Sequence, residues 1–193
     1  MATEKILMSS SALSLGQKLT LWLVSLGKVG FCPYAPGTAG SLASVLLLAV
    51  LFHGFKNHLA AWAGHASFWI ICLGLTLLGF YGGQKAINKM LATFGQQDFG
   101  WIVFDEALGI WVTALGALAV VVACRGSAAF AGLGEVKFWI LVFVSFRIFD
   151  ILKVFPGSWF DKNWINGAGI MLDDLVAAVY AGGLSGLVLL FWP

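Results

Sequence analysis

Acidic residues placed against apolar runs are the side chains of this sequence most able to do chemistry. Six of the nine carboxylates lie within or beside such runs: Asp105, Glu106, Asp150, Asp161, Asp173 and Asp174. An ionised carboxylate at the edge of hydrocarbon is costly unless something compensates its charge, so each is a functional candidate. Asp105 and Glu106 form one adjacent pair, and Asp173 and Asp174 form another. Three or four oxygens from two such pairs suit a hard divalent cation such as Mg²⁺.

Basic residues accompany the acids in one segment. Arg147, Asp150 and Lys153 are spaced at i, i+3 and i+6, which predicts one stripe along a helix, with Asp150 bridging both cations. Arg147 could then grip phosphate oxygens while Lys153 acts as a point charge. A self-contained salt-bridge stripe facing the lipid headgroups is the alternative. The acid pairs have their own alternative, as carboxylates favoured by a helix N-terminus.

Two polar segments flank these residues. Residues 36–41, PGTAGS, lead directly into an apolar run. Their glycines would let backbone N–H groups approach an oxyanion, with Ser41 as the predicted N-cap. The Walker A lysine and spacing are missing, and a plain turn with a cap is the alternative. Residues 156–169 form a predicted connecting loop, in which Trp159 and Trp164 fit an interfacial belt.

Composition places these candidates in a membrane. Hydrophobic residues make up 60% of the 193-residue chain and charged residues only 10%, against about 25% charged in soluble domains. We therefore predict one membrane domain over residues 1–193, in which residues 1–16 form a loose polar tail. The net charge of +2 is too small to favour nucleic acid as a partner. The histidines and cysteines lack metal-binding spacings, and a removable signal peptide is not expected.

The apolar runs predict an all-α, polytopic integral membrane bundle, because helices satisfy their own backbone hydrogen bonds in lipid. Residues 17–29 are expected to form an interfacial or re-entrant helix. Residues 42–52 are too short to span by themselves, so this segment either extends through residues 36–41 and spans or stays half-inserted as a re-entrant segment. The predicted spans are 59–81, 101–124, 138–154 and 171–192, which gives four to five membrane helices. In the last of these, Gly182 and Gly186 form a small-xxx-small pattern that predicts close helix contact.

The distribution of basic residues predicts an orientation. If the N-terminus is cytoplasmic and residues 42–52 cross, one side collects Lys5, Lys18, Lys28, Lys85, Lys89, Arg147, Lys153 and Lys162. The other side then holds Lys56, Arg125 and Lys137. The positive-inside rule makes the first side cytoplasmic. Residues 36–41, both acid pairs and the 147–153 stripe all fall on that side, so one site could contain them.

Four segments together resemble the bacterial phosphatidylglycerophosphatase A family. They are, in the order of the family, APGTAGS (35–41), FDEALGIW (104–111), FRIFDILKVFPGSWFD (146–161) and NGAGIMLDDLVAAVYAG (166–182). One departure is Val154, which follows Lys153 where the family usually has proline. The resemblance implies a Mg²⁺-dependent lipid phosphatase of the bacterial cytoplasmic (inner) membrane. Such an enzyme removes the terminal phosphate of phosphatidylglycerophosphate to give phosphatidylglycerol.

Residue roles follow from the matching positions. The resemblance implies that the metal ligands are among Asp105, Glu106, Asp173 and Asp174. We expect Glu106 and either Asp173 or Asp174 to bind Mg²⁺, whereas Asp105 either joins them or orients the water molecule as a base. It implies that the catalytic group also contains Arg147, Asp150 and Lys153, with the two cations clamping the phosphate. We expect the glycerol phosphate to be guided by Lys28, Thr38, Ser41, Asp161 and Lys162.

Chemistry and function class are narrowed further by what the sequence lacks. There is no Cys-x5-Arg loop and no DxDx[TV] pattern, so metal-activated water is the expected nucleophile, with a phospho-aspartate as the alternative. A divalent-cation or proton-coupled transporter is a second class, and would carry its acids near the bilayer midplane. A non-catalytic scaffold for lipid enzymes is a third, and would not need converging charge. The oligomeric state stays open.

Overall fold

The computed structural model describes residues 13–95 and 99–191, and the regular structure of these residues is helical throughout. The helices are α1 Leu15–Val24, α2 Pro36–Trp62, α3 Ala66–Phe94, α4 Phe104–Arg125, α5 Ala129–Gly132, α6 Glu135–Leu152, α7 Gly157–Asn163 and α8 Gly167–Phe191, with a 3-10 turn at Val29–Phe31. Most of the predicted 1–16 tail and the predicted helix end at 192 lie outside the described residues. Leu15 and Gly16 already belong to α1.

Four of these helices are long and apolar enough to cross a membrane. They are α2, α3, α4 and α8, with 22 to 29 residues each, and a span needs about 20. The predicted all-α membrane bundle is confirmed. The predicted span at 138–154 corresponds to α6, which has 18 residues and carries charges near both ends. Four charged residues fall within its 18 positions, whereas each of the four apolar helices contains an 18-residue stretch with at most two.

The structure decides between the alternatives for residues 42–52. They are the middle of α2, a helix of 27 residues, so the alternative in which the segment extends through residues 36–41 is confirmed. Pro36 occupies the first turn of α2, where its missing N–H needs no partner. The predicted span 59–81 is wrong, because a turn at residues 63–65 divides it and Leu59 belongs to α2.

The backbones of α4 and α8 approach each other closely where these two helices cross. A Cβ placed on Gly182 would lie 3.0 Å from the Thr113 carbonyl oxygen and 3.1 Å from the Gly116 Cα. One on Gly186 would lie 2.5 Å from the Val120 Cβ. The predicted small-xxx-small contact is confirmed. Small residues matter here because lipid gives no hydrophobic drive for association, so close van der Waals packing must hold the helices together.

The bundle has two ends, each with its own buried cluster. At the end that contains the start of α4, Leu21 and Val24 of α1 pack against Ile87 and Leu91 of α3. The Val103 N–H donates to the Val24 carbonyl oxygen at 2.9 Å, which fixes the backbone just before α4. The opposite end contains an aromatic cluster formed by Phe52, Phe130, Phe138 and Trp139. We call these the site end and the far end.

Replacing Gly186 with valine should destabilise the protein by about 1–3 kcal/mol, because the new side chain overpacks the contact with α4. Gly183→Val is the matched control, since nothing lies within 4 Å of a Cβ at that position. Thermal unfolding in detergent measures both variants. Equal losses of stability in the two would contradict the packing of α8 on α4 described above.

Candidate active site

Three carboxylates converge where the first turn of α4 meets α8. Asp105 and Glu106 occupy that first turn, and Asp174 lies two turns into α8. One oxygen from each side chain lies within 4.8 Å of the other two. Asp105 and Asp174 are buried, and Glu106 is partly buried. We call these three residues the acid triad, because together they offer three ligand oxygens around one point.

Protein donors leave part of the acid triad unsatisfied. Within residues 13–95 and 99–191, the buried atoms Glu106 Oε2 and Asp174 Oδ2 accept no hydrogen bond. Asp150 and Asp173 lie close enough to Asp174 to repel its charge. Buried carboxylate oxygens without donors are costly, and a bound cation would remove that cost. The donor atoms are all oxygen, so the residues present fit Mg²⁺.

Asp173 and Asp174, the second acid pair, contact different groups. α8 begins at Gly167. The Asn166 side chain just before it accepts hydrogen bonds from the first-turn N–H groups of Ala168 and Gly169. Asp173 and Asp174 are therefore not at a helix N-terminus, and the predicted start at 171 is wrong. Adjacent helical residues point about 100° apart. Asp174 accordingly belongs to the acid triad, whereas Asp173 forms an ion pair with Lys153.

Arg147 and Glu106 both approach Gly37, in the first turn of α2. Its Nη1 is 2.6 Å from Asp150 Oδ2 and donates to Ser41 Oγ at 3.4 Å. A Cβ built on Gly37 would lie 3.5 Å from this Nη1 and would also collide with Glu106. The Nε of Arg147 is buried and has no hydrogen-bond partner among the described residues. A donor with unused capacity therefore lies beside the acid triad.

Lys153 forms two ion pairs that tie α7 to α8. Its Nζ lies 2.9 Å from Asp161 Oδ2 and 2.9 Å from Asp173 Oδ2. Burial alone would lower the pKa of the Lys153 ammonium, but the two carboxylates raise it well above its ordinary value. Lys153 is therefore protonated at physiological pH. The predicted bridge from Asp150 to Lys153 is absent from the described ion pairs, because α6 ends at Leu152 and Lys153 turns away in a left-handed conformation, φ 44°.

The first turns of α2 form the wall opposite Glu106. Ala35 is the N-cap of this helix, so the prediction of Ser41 as N-cap is wrong. Ser41 is fully buried, and its hydroxyl donates to the Gly37 carbonyl oxygen at 2.8 Å while accepting from Arg147. Because a Cβ on Gly37 would collide with Glu106 Oε1, a side chain at this position would displace the carboxylate.

The sequence did not single out Gly37 and Gly157 as neighbours of the carboxylates. A Cβ on Gly157 would lie 2.6 Å from Asp173 Oδ1, so this glycine lets α7 approach α8. Each glycine follows a proline at the start of a helix, Pro36 before Gly37 and Pro156 before Gly157. The repeated Pro-Gly dipeptide was the available signal.

Four residues expected to guide substrate lie outside the acid triad. Lys28, Thr38 and Lys162 are exposed, and no hydrogen bond or ion pair in the described part of the chain joins them to the acid triad. Asp161 is connected to the site through Lys153. The acid triad is thus largely buried, whereas the lysines expected to guide substrate, Lys28 and Lys162, are exposed.

The position of the charges bears on the class of protein. The acid triad and Arg147 lie at the site end, close to helix termini, whereas a transporter would be expected to hold its acids near the midplane in broken helices. α4 is one continuous helix of 22 residues. The fold and the site together define a helical membrane protein that brings three carboxylates and an arginine together at one end.

Comparison with known proteins is consistent with this class. A family model described as phosphatidylglycerophosphatase A matches residues 22–189. A phosphatidylglycerophosphatase A of Haemophilus influenzae is 37% identical over 172 residues, covering 88% of this chain and 87% of the relative. One of Escherichia coli is 31% identical over 185 residues, covering 96% and 91%. The chain therefore belongs to the phosphatidylglycerophosphatase A family, and it is a phosphatase and hence a hydrolase.

A third relative has a different name. A protein of Bacteroides thetaiotaomicron, named putative phosphatidylinositol-3-phosphatase, is 30% identical over 154 residues, covering 79% of this chain and 82% of the relative. No solved structure matches the chain.

Replacing Gly37 with alanine should lower phosphatase activity by about 10- to 100-fold, because displacement of a site group by even about 1 Å is that costly. Gly54→Ala on the same helix is the matched control, since nothing lies within 4 Å of a Cβ there. The control should keep full activity and be more stable by about 0.5–1 kcal/mol. Unchanged phosphate release by Gly37→Ala would contradict the contact with Glu106.

Proposed function

We propose that this phosphatase hydrolyses phosphatidylglycerophosphate to phosphatidylglycerol and phosphate, with Mg²⁺, at the cytoplasmic face of the bacterial inner membrane. Two relatives are named for this activity. The observation that carries the proposal is the acid triad, in which the buried Glu106 Oε2 and Asp174 Oδ2 accept no hydrogen bond from the described residues, beside the unused Nε of Arg147. One part of the site fits a cation and the adjacent part fits a phosphate.

Asp105, Glu106 and Asp174 would hold the metal ion. When bound, Mg²⁺ supplies charge neutralisation for the phosphate and acidifies a water molecule so that it can act as the nucleophile. The three side chains come from rigid helices, so the positions of their oxygens are set before any ligand arrives. Preorganised charge of this kind is the main contribution that a protein makes to phosphate hydrolysis.

Arg147 would bind the phosphate. Its guanidinium is held from two sides, by the carboxylate of Asp150 and the hydroxyl of Ser41, so it loses little freedom when it binds an anion. The buried Nε is a donor that only a ligand would satisfy. Asp150 and Ser41 therefore act through Arg147, as positioning residues.

Lys153 has a different part in this proposal from the phosphate clamp expected from the sequence. Its ammonium is already engaged by Asp161 and Asp173. It neutralises a carboxylate next to Asp174 and keeps α7 beside α8. Exposed Lys28 and Lys162, by contrast, are available to attract an anionic headgroup, together with Thr38.

The orientation rests on the positive-inside rule. α2, α4, α6 and α8 each place one terminus at the site end, and the basic residues predicted to be cytoplasmic include Arg147 and Lys153 of that end. Lys56 and Arg125 lie toward the far end, where Lys56 pairs with Glu135 and Arg125 donates to the Leu190 carbonyl oxygen. This distribution favours a cytoplasmic site end.

Phosphate release from phosphatidylglycerophosphate in mixed micelles should require Mg²⁺ and stop with EDTA. Glu106→Gln and Asp174→Asn should each lose at least about 100-fold in rate, because each removes a charged ligand. Glu135→Gln is the matched control, because Glu135 pairs with Lys56 and His53 at the far end. Wild-type protein should gain about 2.7 kcal/mol of stability at Mg²⁺ 100-fold above its Kd, a gain that both site variants lose.

The outcome against the proposal is full activity in EDTA or in Glu106→Gln. Phosphatidylinositol 3-phosphate belongs in the same substrate panel, because one relative is named for a phosphatase of that lipid. Faster release from it than from phosphatidylglycerophosphate would overturn the proposed substrate while leaving the metal site standing.

Lys153→Met should lower kcat by about 10- to 100-fold with KM within about twofold of wild type, because Lys153 positions Asp173 and touches no substrate. Arg147→Lys should raise KM by about tenfold, since it removes the forked donor. Asp161→Asn should be milder than Lys153→Met, because the Lys153–Asp173 pair survives. A rise in KM for Lys153→Met as large as that for Arg147→Lys would show that Lys153 binds the phosphate itself.

A further inference from the structure

The start of α8 is attached to α3 by the side chain of Asn88. This asparagine is partly buried, and its Oδ1 accepts a hydrogen bond from the Gly167 N–H at 2.8 Å. Gly167 is itself buried, and a Cβ placed on it would lie 2.5 Å from the Gln84 carbonyl oxygen. The backbone at the start of α8 therefore lies directly against the backbone of α3.

The hydrogen bonds of the first turn of α8 show what the bond to Asn88 contributes. The first four N–H groups of a helix have no partner within it. In α8, Asn166 satisfies three of the four, because its side chain and its carbonyl oxygen accept hydrogen bonds from residues 168–170. The fourth N–H, that of Gly167, donates to Asn88. The cap by Asn166 is enough to start the helix, whereas the bond to Asn88 connects the helix to α3.

One face of α8 leads from this attachment to the acid triad. Gly167, Met171 and Asp174 are spaced at i, i+4 and i+7, so they lie within about 60° of one another around the helix. A Cβ on Gly83 of α3 would lie 2.8 Å from the Met171 Cε and 2.5 Å from the ring of Phe104, the first residue of α4. The contacts of this face with α3 thus set the rotation with which Asp174 reaches the acid triad.

We propose that Asn88 is a positioning residue for the phosphatase reaction, because its hydrogen bond to Gly167 fixes the rotation of α8 and so holds the Asp174 carboxylate in the acid triad. The inference rests on the proposed function, since it takes Asp174 to bind Mg²⁺. Asn88 acts through α8 and touches no substrate. A displacement of about 1 Å at a site group costs about 100-fold in rate, and a slight rotation of the helix is enough to produce it.

The test compares two substitutions of the same residue. Asn88→Leu removes the acceptor at similar size, and it should lower kcat for phosphatidylglycerophosphate by about 10- to 100-fold with KM within about twofold. The Mg²⁺ concentration that gives half of the thermal stabilisation should rise about tenfold, because loss of a supporting contact weakens metal binding by that order. Asn88→Asp keeps an acceptor oxygen, so it should stay within about threefold of wild type in both measurements.

Two further positions separate positioning from a general loss of stability. Thr93→Val removes another hydrogen bond between α3 and a neighbouring helix, the one from Gln17 at 3.4 Å, and should leave kcat and Mg²⁺ binding within about twofold. Gly167→Ala keeps Asn88 but pushes the start of α8 off α3, so it should repeat the loss in kcat even if Asn88→Leu does not fold. Gly183→Ala on the same helix is its control, since nothing lies within 4 Å of a Cβ there.

Three results would overturn the proposal. One is a kcat for Asn88→Leu within about twofold of wild type. Another is a loss in Asn88→Asp as large as that in Asn88→Leu, which would show that the acceptor oxygen is not what matters. The third is a slow Asn88→Leu protein whose response to Mg²⁺ is unchanged. A wild-type protein that prefers another lipid phosphate would count against the proposed function alone, because kcat of the two Asn88 variants on that substrate still decides the role of Asn88.

Discussion

The repulsion between carboxylates held side by side in a poorly solvated place is the constraint on which the rest of this structure depends. Two unit charges about 4 Å apart repel by roughly 4 kcal/mol at an effective dielectric constant of about 20. Three acids in the acid triad, with Asp150 and Asp173 nearby, multiply that problem. The first turn of α4 relieves part of it, because free N–H groups at a helix N-terminus favour negative charge.

Two cations, Arg147 and Lys153, further reduce the repulsion between the carboxylates, and each pairs with different acids. Arg147 compensates Asp150, and Lys153 compensates Asp173 and Asp161. After these pairs are formed, Glu106 and Asp174 still hold buried oxygens that accept no hydrogen bond from the described residues. A bound cation would relieve the repulsion at this position. The glycines at 37 and 157 serve the same end, since each lets a helix start come directly against a carboxylate.

Much of this arrangement was predictable from the sequence, and the reasons for the failures are physical. Composition and run length were enough for the class of helical membrane protein but not for the boundary between α2 and α3, and the two acid pairs contain the three carboxylates that the structure brings together. The pattern could not separate Asp173 from Asp174, because that depends on the rotation of α8 against α4. Lys153 was placed on the helical stripe by its spacing, but the chain leaves the helix there.

The close contact between α4 and α8 has a consequence for the metal ion that we propose. These two helices carry all three members of the acid triad, and at their crossing the backbone of Gly182 lies against the backbones of Thr113 and Gly116. The spacing of the two helix backbones is therefore set by main-chain contact. Calcium takes six to eight oxygens in adaptable geometry, whereas magnesium needs a small and nearly ideal octahedron. If the acid triad holds a metal ion, a helix spacing fixed in this way would act as a size filter in favour of magnesium.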